Sequence, residues 1–300
     1  MTMSTRIRPP TVLVDLDGVL VRPHPIHNRI ANRCTRFVTK FIPGIRDPHK
    51  IAELNRVLYT TYGHTVLGMH HCLKCGTAAA AGTAGTVGTA GTAGTVGTAE
   101  YADLLRGFNE FVYGMLDDGP TDAMLRNMDS REAREFLSAV PDARVFTNAP
   151  TEWVRAVSSI TGLDLNPADA GGFLKPDPRA YAAVTSADKG GEVILIDDAM
   201  INMLPVMADA RWIKVLFCAE PQDAPVRLRH DFYTVSNLQQ AAGIVACVRG
   251  CAARELTCQT CLAHAPHHAH HWLAEGDPAD HVTRAMRATH PNHTRALTAH

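Results

Sequence analysis

The chain has 300 residues, 46% hydrophobic and 20% charged, enough for one substantial core and a smaller second one. A net charge of −1 gives no mark of a surface built for a nucleic acid polymer or an acidic membrane, so an anionic ligand would have to be drawn in by local charge. Met1–Pro10 lacks the apolar stretch of a secretory signal, and eight cysteines suit a reducing compartment better than a disulfide scaffold, so the expected location is cytoplasmic.

The first element in chain order is a short apolar run, Val12-Leu13-Val14, read as a buried strand, followed by Asp15-Leu16-Asp17-Gly18. On an extended segment, residues two apart point to the same side, so Asp15 and Asp17 would share a face. Two buried like charges are costly unless a cation neutralises them. Mg²⁺ suits this role because it takes one or two carboxylates together with water and phosphate oxygens.

Residues 24–140 interrupt the strand pattern. Helix-like apolar spacing over 26–41, 48–62 and 100–116 predicts a helical insert that leaves and rejoins the sheet at its ligand rim, as a cap would. Inside it, Gly82 to Ala99 repeats Gly-Thr-Ala or Gly-Thr-Val, with too little apolar area to offset its ordering entropy or to enter a bilayer. The tract is neither a collagen repeat, since it lacks Pro, nor a P-loop, since no Gly-Lys-Ser/Thr closes it. Just before it, His70-His71-Cys72-x-x-Cys75 is a candidate metal site.

Strands and helices alternate again beyond residue 140. Arg144-Val145-Phe146 and Val193 to Ile196 read as strands, and 151–161 and 178–187 as helices. This alternation predicts an open α/β sheet whose ligands bind at the carboxyl ends of the strands. Asp15, Thr147-Asn148 and Asp197-Asp198 all follow strands, so they fall on one rim. Lys175 precedes Pro176, which keeps it out of helical geometry and free to reach inward from a loop. Together these residues suit phosphoryl transfer. Asp15 would be the nucleophile and Asp17 the general acid and base, with Thr147, Asn148 and Lys175 on the phosphoryl oxygens and Asp197 and Asp198 in the metal shell.

From residue 246 the composition changes to a tail rich in Cys and His, with nine of the sixteen histidines after Cys261. Cys247, Cys251, Cys258 and Cys261 admit two readings. In a continuous helix they share one face, but the outer pair would lie about 21 Å apart, too far for one ion. Zn²⁺ would need a break in the helix; without it they form a stripe of small apolar side chains.

Asp15-x-Asp17-Gly18, Thr147-Asn148, Lys175-Pro176 and Asp197-Asp198 resemble, in order, motifs one to four of the haloacid dehalogenase-like (HAD) hydrolases. In that superfamily the acidic residue two after the nucleophile separates phosphatases and phosphomutases from dehalogenases and P-type ATPases, so Asp17 implies a phosphatase. The resemblance also implies Mg²⁺ held by Asp15, the backbone carbonyl of Asp17 and Asp197, with Asp198 nearby. Tyr59 to Gly63 with Gly68, Glu100-Tyr101, Phe146 to Ala149, and Ile196 to Asp198 with Asn202 are similar to the pyrimidine 5′-nucleotidase-like branch. Two departures stand out: the Gly-Thr-Ala tract expands the cap, and Ala199 replaces the usual Ser.

The expected architecture is a Rossmann-like parallel sheet core, residues 1–23 and 141–245, with a helical cap over 24–140 that includes the low-complexity stretch 76–99, and a tail over 246–300. The expected activity is Mg²⁺-dependent hydrolysis of a small phosphorylated metabolite, a nucleoside 5′-monophosphate foremost. The alternative is a catalytically weak scaffold that binds a metal or a protein through its loop and tail.

Overall fold

Six apolar segments pair into one sheet among the described residues, in the order β2-β1-β3-β4-β6-β5. They are β1 (Thr11–Val14), β2 (Arg144–Val145), β3 (Val193–Asp197), β4 (Trp212–Phe217), β5 (Val226–Arg229) and β6 (Phe232–Val235). All pairings are parallel except that of β5 with β6. The computed structural model describes residues 9–22, 24–41, 47–80, 99–114, 118–187, 191–218, 225–229 and 231–252, without the side chains of 24, 74–80, 251 and 252. The repeat up to residue 98 and the tail from 253 lie outside the described residues.

β1 and β3 are rich in β-branched residues, which pack well on a pleated surface, and both faces of these strands are buried. Val12, Val14, Ile194 and Ile196 enter one apolar cluster, while Leu13, Val193 and Leu195 enter the other. That two-residue alternation with burial on both sides is the mark of a parallel sheet covered by helices on each face.

The helices are α1 (His24–Phe41), α2 (Pro48–Tyr62), α3 (Thr65–Ala80), α4 (Ala99–Tyr113), α5 (Gly119–Arg126), α6 (Arg131–Ala139), α7 (Thr151–Thr161), α8 (Pro178–Val184), α9 (Met200–Met203) and α10 (Leu238–Ala252). Local signals set several boundaries. Asp47 caps α2 by accepting from the His49 N–H, Pro48 opens the helix, and Gly63 in the left-handed region ends it. Asp118 and Asp177 do the same work ahead of α5 and α8.

Between β1 and β2 the chain folds α1 to α4 against one another. α3 was not read in the sequence. α6 packs against α10, and its Ala133 and Phe136 bury into the apolar cluster that also holds Leu238, Ala241 and Val245. No helix among the described residues is long and apolar enough to cross a membrane.

His64 joins α2 to α3 and is buried, with its ring edge-on to Phe108 at 4.9 Å. Its Nδ1 accepts the Val66 N–H at 3.2 Å, which requires that nitrogen to be unprotonated. Burial pushes its pKa down to about 4. A histidine with a depressed folded pKa contributes stability at neutral pH that is lost as pH falls from about 6.5 toward 4, roughly 3 kcal/mol in all. His64→Asn keeps a capping acceptor without a titrating ring. Urea unfolding of both proteins at pH 7.5 and pH 4 should therefore show the wild type losing about 3 kcal/mol more than the variant; equal losses would refute the assignment.

Candidate active site

The register of β1 and β3 builds the centre of the site. Val14 pairs with Ile196, so the next residues, Asp15 and Asp197, emerge side by side at the carboxyl rim. The Asp15 N–H still donates to the Ile196 carbonyl at 2.9 Å, and the Leu16 N–H donates to Asp15 Oδ1 at 2.8 Å. The chain then closes a tight loop in which the Leu20 and Val21 N–H groups both donate to the Leu16 carbonyl. Gly18 in that loop has φ 99°, and a Cβ there would stand 2.2 Å from Asp198 Oδ2. Glycine is required both for the turn and for the approach of that carboxylate.

Lys175 enters from below the rim and is 1% exposed. Its Nζ lies 3.2 Å from Asp15 Oδ1 and 2.5 Å from Asp197 Oδ2. Burial opposes its charge, but Asp15 and Asp197 outweigh burial and hold its pKa above the ordinary lysine value. The loop that carries it is tied down by Asn148, whose Oδ1 accepts from the Lys175 N–H at 2.6 Å while its Nδ2 donates to the Lys175 carbonyl at 2.8 Å. Asn148 Nδ2 also donates to the Gly63 carbonyl at 3.4 Å. Gly63, at φ 76°, sits so close to Pro176 that a Cβ would meet its Cδ at 2.5 Å. The helical insert and the lysine loop thus touch through a glycine.

Asn148 was expected to donate its side chain to a phosphate; in this structure its carboxamide engages the Lys175 backbone at both ends and reaches the Gly63 carbonyl. Thr147 remains a donor: its Oγ1 accepts the Ala149 N–H at 3.2 Å, which leaves the hydroxyl proton for an anion.

The adjacent carboxylates also differ. Both oxygens of Asp197 are occupied, by Lys175, by the Ala199 N–H at 2.8 Å and by Asn202 Nδ2 at 3.0 and 3.1 Å. Asp198 Oδ1 is buried and has no hydrogen-bond partner among the described residues. Burial pushes the Asp198 pKa well up, and Asp197 and Asp15 push it further against the pull of Lys175. Burial likewise raises Asp15 to about 7, with Lys175 opposing and Asp197 and Asp17 adding to the rise. One ligand oxygen from each of Asp15, Asp197 and Asp198 lies within 4.8 Å of the others. An orphaned buried carboxylate oxygen beside a second carboxylate, in an oxygen-only donor set, fits a hard divalent cation. Such an ion would oppose the effect of burial and favour the ionised forms.

Asp17 stands apart from that trio. Its Oδ1 accepts from Trp153 Nε1 at 3.1 Å. Burial raises its pKa, partly offset by the Trp153 hydrogen bond, then by His27 and Lys175. A carboxyl that holds its proton more firmly than usual is suited to act as an acid.

Trp153 and Tyr113 went unread in the sequence. Trp153 looked like a core residue of α7, which it also is, with no exposure. Tyr113 packs against it with ring centroids 5.6 Å apart. Tyr59 of α2 is 42% exposed, and burial together with Asp198, Asp197, Asp15 and Asp17 pushes its phenol pKa up. Other candidates do not join the site. His70 is buried against Tyr101 and His71 packs on Tyr62, while Cys72 is exposed, so consecutive positions on α3 point in three directions. Of the tail candidates for zinc, Cys247 lies on α10, the Cys251 side chain is outside the described residues, and Cys258 and Cys261 lie beyond them.

No protein-family model matches the sequence, and no curated protein matches it either. Among solved structures, an L-2-haloacid dehalogenase from Xanthobacter autotrophicus is similar at 14% identity over 72% of this chain and 80% of its own, with a TM-score of 0.35. A defluorinating L-2-haloacid dehalogenase is similar at 16% identity over 79% and 95%, with a TM-score of 0.41. A phosphoserine phosphohydrolase-like protein from Francisella tularensis is similar at 11% over 78% and 99%, with a TM-score of 0.34. These likenesses are distant. What decides the fold is the chain's own order β2-β1-β3-β4, with helices inserted after β1 and Asp15, Thr147, Lys175 and Asp197-Asp198 on one rim. The fold is an open, mostly parallel α/β sheet with a helical insert after β1. In this core the site lies where the chain, having run from β1 to β2 on one side, crosses to β3 on the other, the switch point at which open α/β sheets bind ligands.

Proposed function

We propose that this chain is a Mg²⁺-dependent phosphomonoesterase of the pyrimidine 5′-nucleotidase-like branch, acting in the cytoplasm on a small phosphorylated metabolite, a nucleoside 5′-monophosphate foremost. The observation that carries the reading is Asp17, a protonatable carboxyl two residues beyond Asp15 on the same rim.

Asp15 attacks phosphorus, forming a P–O bond as the ester P–O bond breaks, and Asp17 gives its proton to the departing oxygen. Asp17 then takes a proton from a water that attacks the aspartyl-phosphate, which frees inorganic phosphate and restores Asp15. Lys175 and the Thr147 hydroxyl balance the charge on the phosphoryl oxygens. Asn148, Asn202 and Asp197 hold Lys175 in register. Asp15, the Asp17 carbonyl, Asp197 and Asp198 would form the Mg²⁺ shell, and the ion when bound supplies a Lewis acid for one phosphoryl oxygen. The exposed Tyr59 ring offers a face on which a planar base can lie, which supports a nucleoside leaving group.

The test is a screen over nucleotides, sugar phosphates and pyridoxal phosphate with and without Mg²⁺, with Mg²⁺ binding measured by calorimetry on wild type and Asp198→Asn. We expect Mg²⁺-dependent turnover strongest on a nucleoside monophosphate, and Mg²⁺ binding weakened about tenfold or more in the variant. Activity on no phosphomonoester would end the reading; unchanged Mg²⁺ affinity would remove Asp198 from the metal.

A further inference from the structure

A buried indole N–H needs an acceptor, and the one Trp153 finds is not a neighbouring backbone carbonyl but Asp17, 136 residues away in sequence. Packing alone requires no polar atom at this position. α7 begins directly after the Thr147-Asn148 corner, so Trp153, in its first turn, stands on the rim built by a different strand from the one that carries Asp17. Asp17 itself sits on the tight loop before Gly18, and the Trp153 N–H ties one oxygen of its carboxyl to α7. On its other side the indole meets Tyr113, the last residue of α4 in the helical insert, at 5.6 Å and 51° between planes. The indole is thus wedged between core and insert, with its one donor on the group that must move a proton.

We propose that Trp153 is a positioning residue for Asp17: its N–H holds one carboxyl oxygen at 3.1 Å and so aims the other at the leaving group, while Tyr113 braces the indole from the insert. Trp153 touches no reacting atom and acts only through Asp17. The inference rests on the phosphatase reading above and deepens it, because it makes protonation of the leaving group depend on docking of the insert.

Such a role has a signature that a purely structural one lacks. A proton donor matters most when the leaving group departs as a basic alkoxide, and little when it departs as a stable phenolate. The experiment compares kcat/KM, which reports the first chemical step, for p-nitrophenyl phosphate and for the best alkyl phosphomonoester, in wild type and Trp153→Phe. The expected result is that the ratio of alkyl to aryl kcat/KM falls about tenfold or more in the variant. An equal loss on both esters, or on neither, overturns the proposal.

Since Phe could pack poorly, 3-benzothienylalanine placed at position 153 keeps the outline of the indole without its N–H and should give the same selective loss. In an Asp17→Asn background, Trp153→Phe should cost nothing further on the alkyl ester; an additional loss would show that Trp153 acts elsewhere. A wild type that hydrolyses neither ester overturns the phosphatase reading and this inference with it. An active wild type whose variant is unselective overturns this inference alone.

Discussion

Asp15→Asn should abolish turnover of p-nitrophenyl phosphate, with a loss on the order of 10⁴-fold or more, while leaving the fold intact. The loss follows from chemistry: an amide cannot form the acyl-phosphate, and no other carboxylate at the rim is placed to replace it. Asp17 is tied to Trp153, Asp197 is fully occupied by donors, and Asp198 lies behind Gly18. The fold survives because Asn keeps the shape of Asp15 and an oxygen for the Leu16 N–H. The substitution also removes a carboxyl that burial disfavours in its charged form, and Lys175 retains Asp197. Steady-state kinetics with a thermal melt of the same sample would check both halves. Full activity in the variant would mean that Asp15 is not the nucleophile.

Lys175→Met should damage both stability and activity. Lys175 is the counter-charge shared by Asp15 and Asp197 in a position with almost no solvent access. Met fills much the same volume, so the cavity contribution is small and the electrostatic one is exposed. Removing one partner of a buried pair costs roughly 3–5 kcal/mol because the remaining charge is left uncompensated. In a domain of this size that corresponds to a fall in Tm of about 10 °C. Mg²⁺ should recover part of this loss, because a cation supplies charge to the same carboxylates. The rate should fall by about 10²–10³-fold, the cost of losing one preorganised charge beside a developing anion. Differential scanning fluorimetry with and without Mg²⁺, alongside kcat, would measure both. A variant as stable as wild type would show that the carboxylates do not need Lys175, and with it the charge balance drawn for the site would fail.

The sequence made the rim legible at the points where local rules apply. Val12 to Val14 and Val193 to Ile196 are short β-branched runs that end in carboxylates, and parallel strands place such ends together. Helices over 26–41, 48–62 and 151–161 showed through apolar spacing, and the structure has them as His24–Phe41, Pro48–Tyr62 and Thr151–Thr161. α3 was missed because its stretch, Thr65 to Ala80, runs into the Gly-Thr-Ala repeat and has almost uniform apolar character without a clear face. β4 to β6 were missed for a different reason: Lys214 lies in the middle of β4 and argues against a buried strand, until Asp231 and the Trp212 carbonyl are seen to satisfy it.

Roles within the site divide in the same way. That Asp15 and Asp17 belong together, and that Lys175 sits in a loop ahead of α8, follows from neighbours one to three residues away. Such couplings are carried by φ/ψ preferences and side-chain alternation along one stretch of chain. That Asn148 grips Lys175, that Asp197 rather than Asp198 is filled with donors, and that Trp153 holds Asp17 depend on pairs 27, 22 and 136 residues apart. Adjacent aspartates look alike in one dimension; a parallel register turns one toward Lys175 and Asn202 and leaves the other with an unpaired oxygen beside Gly18. Local chemistry chose which residues came to the rim, and long-range packing assigned what each of them is free to do there.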